Sequence, residues 1–181
     1  MFKEVAIDYD FSIFLNADYN QHEGSCVKHQ VYELTDIHEK FGGFPNTFCL
    51  ENTKIHQLWW TADDIDFSRL GSQLGMEIIT VSSILQPPGN VIPLHRDTFF
   101  QIKKRYPNDT RKKVRANMYL EDWKVGHIIQ YSKDSDSNEW ANHTHWKAGQ
   151  GLLWDESILH IGANIGLQNK YTLQISGFLN E

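Results

Sequence analysis

The run MEIITVSSILQPPGNVIPLHRD, Met76–Asp97, decides the fold class. Its first half is crowded with β-branched residues, which pack well on a pleated, half-buried surface. Pro87-Pro88-Gly89-Asn90 halts that strand in a turn, and VIPLH starts the next. Downstream the same pattern recurs in VRANMYL, GHIIQYS, NEWANHTHW, GLLWDES and YTLQISGF, with turns between them and no helical period. Short strands spaced by turns predict a mainly β, antiparallel sandwich or barrel spanning roughly residues 76–179.

Upstream, Thr61-Ala62-Asp63-Asp64 reads as a helix N-cap with acids in the first turn. Ile65, Leu70 and Leu74 give that helix part of an apolar stripe, and Gly75 closes it. The first fifty residues read as irregular, with Val5–Ile7 and Phe11–Leu15 as edge strands and Gly42–Asn46 as a turn. No linker divides the chain. The expectation is one domain, 1–181, in which a small N-terminal α/β part buttresses the β-core.

At 181 residues the chain can bury a substantial core without disulfides. Seventeen basic against twenty-three acidic residues give a net charge of −6, which argues against general nucleic-acid affinity. Cys26 and Cys49 show neither metal spacing nor a disulfide framework, so a reducing, cytoplasmic location is expected. No apolar run approaches a membrane span, and MFKEVAIDYD lacks the pattern of a signal peptide. Six tryptophans and ten phenylalanines predict aromatic packing in the core.

The chemistry gathers at strand ends. His95 and Asp97 lie two apart, so on extended chain both project to one face. His160, in ESILHIGAN, sits where another strand meets a turn. Two imidazoles and one carboxylate can hold three positions on one side of Fe(II), leaving the others open. Ten residues further, Lys170 heads an alternating strand whose parity puts Lys170, Thr172 and Gln174 on one face. A lysine on the inner face of a β-core needs an anionic partner, because an unpaired buried ammonium is costly. An outward-facing Lys170 is the bland alternative.

His143-Thr144-His145 is a second same-face pair, but the glutamate expected soon after it is missing, and the stretch reads as a decoy. The basic segment 103–115 reads first as a solvated loop, and more sharply as a lid over the site. Phe99, Phe100 and Tyr106 could stack a flipped base in a nucleic-acid demethylase, against which the net charge weighs. A non-catalytic cupin-like domain binding a metal or small molecule is the alternative from another class.

PPGNVIPLHRD, VRANMYL, THWKAGQGLLWDESILH and the interval from His160 to Lys170 together resemble the 2-oxoglutarate/Fe(II) dioxygenase superfamily. Within it, the resemblance is to the aspartyl/asparaginyl β-hydroxylase-like group. It covers about half of the chain, Gln86 to Ser176 with gaps. The resemblance implies a double-stranded β-helix, a jelly-roll of the cupin-like kind. It implies iron held by His95, Asp97 and His160, and Lys170 on the distal carboxylate of 2-oxoglutarate with Thr172 beside it. Arg115, Asn117 and Tyr119 alternate on a strand where the family places cosubstrate or substrate contacts. Trp154, His145 and Arg96 are candidate substrate contacts. The implied reaction consumes dioxygen and 2-oxoglutarate, releases succinate and carbon dioxide, and hydroxylates a peptide or metabolite, with ascorbate as a candidate reductant.

Overall fold

The computed structural model describes residues 1–33, 39–40, 47–133 and 138–180; the turn expected at Gly42–Asn46 lies outside them. Eleven strands form two antiparallel sheets among the described residues. The larger sheet contains β1 (Phe2–Ala6), β2 (Glu23–Ser25), β3 (Lys54–Trp60), β4 (Met76–Gln86), β6 (Lys113–Tyr119), β9 (Gln150–Trp154) and β11 (Lys170–Leu179). Its order is β1-β9-β6-β11-β4-β3-β2. The smaller sheet, ordered β5-β10-β7-β8, contains β5 (Asn90–His95), β7 (His127–Ser132), β8 (Trp140–His143) and β10 (His160–Asn164). The mainly β, antiparallel architecture is the one the strand pattern predicts, and the double-stranded β-helix is the form of it that the resemblance implies.

Why the large sheet is so apolar follows from its two covered faces. One set of alternate residues, among them Val81, Val114, Ala116, Met118, Leu153, Leu173 and Ile175, packs under the N-terminal segment and a helix. The other set faces the small sheet, where Tyr119, Leu152 and Trp154 meet Ile129, Tyr131 and Trp146. Strands buried on both sides need near-continuous hydrophobicity, which is what MEIITVSSILQ and YTLQISGF supply.

The helix expected after Thr61 begins later. It is Phe67–Leu74, here α3, following α1 (Ser12–Leu15) and α2 (Cys26–Glu33). The Asp66 side chain accepts the Arg69 N–H and caps it, and Gly75 closes it at φ 67°. Thr61 and Asp64 instead bond to each other in a local turn, so the acid expected in the first helical turn is spent on that contact. Leu70 and Leu74 are fully buried beneath the large sheet, each worth about 2 kcal/mol of apolar burial.

Phe11–Leu15 is not an edge strand. Asp10 Oδ1 accepts the Ser12 N–H, the Phe11 carbonyl accepts from Phe14 and Leu15, and Phe14 inserts edge-on against Trp60. A local side-chain turn thus outcompetes the extended form. The segment expected as a loop after Asp97 contains α4 (Phe100–Arg105). The N-terminal part does more than buttress, because β1 and β3 pair directly with β9 and β4.

Candidate metal centre

β5 ends at His95 and β10 begins at His160, and the two residues are partners across that ladder. Their ring centroids lie 4.1 Å apart. The register slips between His160 and Gly162, so the first residue of β10 is set apart from the regular ladder. Asp97 follows two residues after His95 and turns the same way. One ligand atom from each of His95, Asp97 and His160 falls within 4.8 Å of the others, the group of this kind found among the described residues.

Hydrogen bonds fix which nitrogens face inward. The Nδ1 atoms of His95 and His160 lie 2.8 and 3.2 Å from the carbonyls of Pro93 and Ile158. A carbonyl can only accept, so Nδ1 carries the proton and Nε2 is left with its lone pair. Burial pushes the His160 pKa down to about 3, with His95 adding to that and Asp97 opposing it, so the ring stays neutral. Neutral imidazole is the form that binds a metal.

Asp97 is gripped from two sides. Trp154 Nε1 donates to Oδ2 at 2.7 Å, and Arg115 Nη1 donates to Oδ1. Arg115 is itself held by its Nε–H to Ser176 Oγ at 2.9 Å, with the Phe99 ring beneath its guanidinium. Burial alone would raise the Asp97 pKa, but the Arg115 guanidinium, with the Trp154 hydrogen bond beside it, outweighs that and holds the carboxylate ionised. Phe99 adopts φ 52°, a conformation costly for a bulky residue, and its ring is locked between Ile102 and Phe178. That kink re-aims the chain immediately after the triad's carboxylate.

Parity and register place the remaining candidates. Gln174 is opposite Asn117, Thr172 opposite Tyr119 and Ser176 opposite Arg115, so these side chains share the inner face of the large sheet. Lys170 lies on that face too, 2% exposed, donating to the carbonyls of Ile128 at 2.9 Å and Ala163 at 3.3 Å. Both acceptors belong to the small sheet, so the ammonium spans the interior between the sheets. Burial pulls its pKa down to about 7. The Trp146 ring is 5.8 Å from Lys170 Nζ and stacks on Tyr119 at 3.9 Å. Asn117 Oδ1 and Tyr119 Oη are buried without a hydrogen-bond partner. Thr172 is 7% exposed beside them.

Beside the triad opens a cavity of about 200 Å³. His95, Asp97, Arg96 and Arg115 line it, and so do Gln30, Trp59 and Phe100. Trp154 borders His160, with ring centroids 4.4 Å apart. His145 stacks on Trp123 and is not among the residues lining the cavity. Lys170, Thr172 and Tyr119 are not among the residues that line it. Sequence reasoning missed Gln30, Trp59 and Ser176. Only the parity of β11, which puts Ser176 in phase with Lys170, could have signalled one of them.

The donor set suits Fe(II): two imidazoles and one carboxylate, with His95 and Asp97 on the wall of a cavity. A dicarboxylate suits the interior beyond it, where a buried ammonium has only neutral acceptors and two polar atoms lack partners.

No protein-family model matches the sequence. No curated protein matches it either. Solved structures do. The non-heme alpha ketoglutarate dependent carbocyclase SnoK from nogalamycin biosynthesis superposes with a TM-score of 0.56 at 9% identity, over 98% of this chain and 79% of that one. The non-heme alpha ketoglutarate dependent epimerase SnoN from the same biosynthesis gives 0.54 at 12% identity, over 86% and 75% of the two chains. A Pseudomonas putida prolyl-4-hydroxylase gives 0.51 at 16% identity, over 88% and 92%. What this chain shares with all three is the fold. At these identities the likeness extends to the fold.

Proposed function

We propose that this chain is a single-domain, cytoplasmic, non-haem Fe(II)- and 2-oxoglutarate-dependent oxygenase that hydroxylates a peptide side chain or a metabolite. One observation carries the reading. His95 and Asp97 from the end of one strand and His160, remote from them in sequence, bring their ligand atoms together beside a cavity on a jelly-roll fold. The aspartyl/asparaginyl β-hydroxylase-like resemblance is the narrower form of the same proposal.

When bound, iron and 2-oxoglutarate supply dioxygen activation coupled to decarboxylation, with succinate and carbon dioxide as products. The chain's own residues do the positioning. His95 and His160 present Nε2 because their Nδ1 protons are committed to carbonyls. Trp154 and Arg115 fix the plane of the Asp97 carboxylate. Lys170 and Thr172 would receive the distal carboxylate of the cosubstrate, the ammonium exchanging neutral acceptors for an anionic one. Burial raises the Tyr119 pKa, keeping its hydroxyl protonated as a donor in the same space. Asn117 offers an amide there. Trp146 and Trp154 exclude water from the interior.

Anaerobic reconstitution with Fe(II), followed by measurement of succinate formed from 2-oxoglutarate in air, tests this. Stoichiometric iron with succinate formation that is lost in His160→Ala supports the oxygenase. A protein that takes up no iron and turns over no 2-oxoglutarate is a non-catalytic binding domain instead.

A further inference from the structure

Four glutamines from four elements line the cavity beside the triad: Gln30 on α2, Gln57 on β3, Gln101 on α4 and Gln174 on β11. Thr80 and Ser176 add hydroxyls to the same lining. Register explains the gathering on the sheet side. Gln174 pairs with Ser82, Ser176 with Thr80, and Trp59 with Ser82 from the other neighbour of β4. Gln57, Trp59, Thr80, Gln174 and Ser176 therefore project from one face of the large sheet. Asp97 and Arg115, on the same lining, are paired with each other, and Arg96 has a partner of its own. What remains to meet a ligand on this wall is chiefly carboxamide and hydroxyl.

The unused hydrogen-bonding capacity of these groups is of both kinds. Gln30 is 5% exposed, and its Oε1 is buried with no hydrogen-bond partner, a state that folded proteins avoid. The terminal amide torsion is soft, so Gln30 can turn that oxygen towards the cavity it lines. Gln57 gives Nε2 to Ser82 Oγ at 2.9 Å, which leaves its oxygen as an acceptor. Ser176 Oγ accepts the Arg115 Nε–H at 2.9 Å, which leaves its own proton to donate. The Gln174 carboxamide carries a donor and an acceptor in one plane. A ligand hydroxyl donates and accepts at once, and neighbouring hydroxyls on a ring meet both ends of a carboxamide. Trp59 lines the cavity while 58% exposed, offering a flat apolar surface beside this polar wall. At about 200 Å³ the cavity is smaller than the roughly 300–1,000 Å³ of sites that enclose a drug-sized ligand, which suits a single ring.

We infer that the substrate presents a neutral, polyhydroxylated ring, a sugar or cyclitol unit, to this wall: Gln30, Gln57 and Gln174 bind its hydroxyls, and Trp59 covers one face of the ring. This rests on the oxygenase reading for the identity of the cavity as a substrate site, and narrows it from peptide or metabolite to a hydroxyl-rich metabolite.

The methyl pyranosides of glucose, galactose, mannose and xylose, together with myo-inositol, test this on the full-length protein without added metal. Binding is read by ligand-observed NMR and tryptophan fluorescence, not by turnover. At least one of these rings is expected to bind in the millimolar range, and tetrahydropyran, a ring without hydroxyls, about tenfold more weakly or not at all. Gln30→Met and Gln174→Met should each weaken that ligand about tenfold, because a hydroxyl is then left facing an apolar group. Trp59→Ala should weaken it as well and remove the fluorescence change. Gln30→Met should also melt at or above the wild-type temperature, since it deletes a buried acceptor that has no partner. Binding of none of the rings, or unchanged affinity in both glutamine variants, overturns the inference. A Gln30→Met protein that melts several degrees lower does so too, by making the carboxamide a structural group. Tighter binding of glucuronate than of methyl glucoside would assign the wall to an anion, and tighter binding of N-acetylasparagine methylamide than of every ring would assign it to a peptide; either result overturns the proposal. Absence of iron binding and succinate formation in the earlier experiment would sink the oxygenase reading alone, because these affinities depend on neither iron nor turnover.

Discussion

Replacing Lys170 with Met should make the protein more stable and less able to bind its cosubstrate. The ammonium sits in the interior with two neutral carbonyls as partners, and burial lowers its pKa to about 7 from an ordinary 10.5. At 1.36 kcal/mol per pH unit, that difference corresponds to about 5 kcal/mol spent on keeping the charge buried. Met fills similar volume without the charge. It leaves the Ile128 and Ala163 carbonyls short of a donor, which costs about 2 kcal/mol, so a net gain of about 3 kcal/mol is expected at pH 6.5. The sign with pH follows from linkage. The unfolded chain holds the proton up to about pH 10.5 and the folded one only to about pH 7, so wild-type stability rises relative to the variant between those limits. Urea unfolding at pH 6.5 and 9.5 reads both effects. The same substitution should weaken 2-oxoglutarate binding 10- to 100-fold, the scale of losing a charge-assisted hydrogen bond. Cosubstrate binding above pH 7 should also take up a proton, visible as buffer-dependent heats in calorimetry. A variant that is less stable than wild type at both pH values and binds 2-oxoglutarate normally would refute the reasoning and make Lys170 a structural residue.

His160→Ala is expected to abolish iron retention while the circular dichroism spectrum and cooperative melting persist, since the core clusters on either side do not depend on its ring; collapse of the fold with metal content intact would contradict the site. Arg115→Gln should weaken metal binding about 10- to 100-fold in a chelator competition, because the carboxylate loses one of its two orienting donors, and Arg115→Lys should recover part of that. Unchanged metal affinity in Arg115→Gln would show that Trp154 alone fixes Asp97. Gly177→Ala should cost about 3 kcal/mol in denaturant unfolding, because a Cβ there would stand 1.8 Å from the Glu77 carbonyl oxygen at the bulge between β11 and β4; a neutral substitution would mean that the bulge is absent in solution.

The amino-acid order alone determined the parts governed by period and punctuation. The alternation in KYTLQIS placed Lys170, Thr172 and Gln174 on one face, and the Pro-Pro-Gly-Asn stop with its following strand delivered His95 and Asp97 to a strand end. β-branched density over Met76–Gln86 was enough to exclude a helix there. Tertiary structure decided what depends on partners remote in the chain. Arg115 could have faced a cosubstrate by parity, yet its guanidinium grips Asp97, 18 residues away, because burying that carboxylate demands a counter-charge. Ser12–Leu15 became helical through a local side-chain turn and the fit of Phe14 against Trp60, neither of which any strand propensity records. The cavity walls, Gln30 from α2 and Trp59 from β3, lie next to the triad only because the sheets close on each other. Periodicity is a local property and survives in the sequence; which charge meets which, and where a void is left, arises from packing alone.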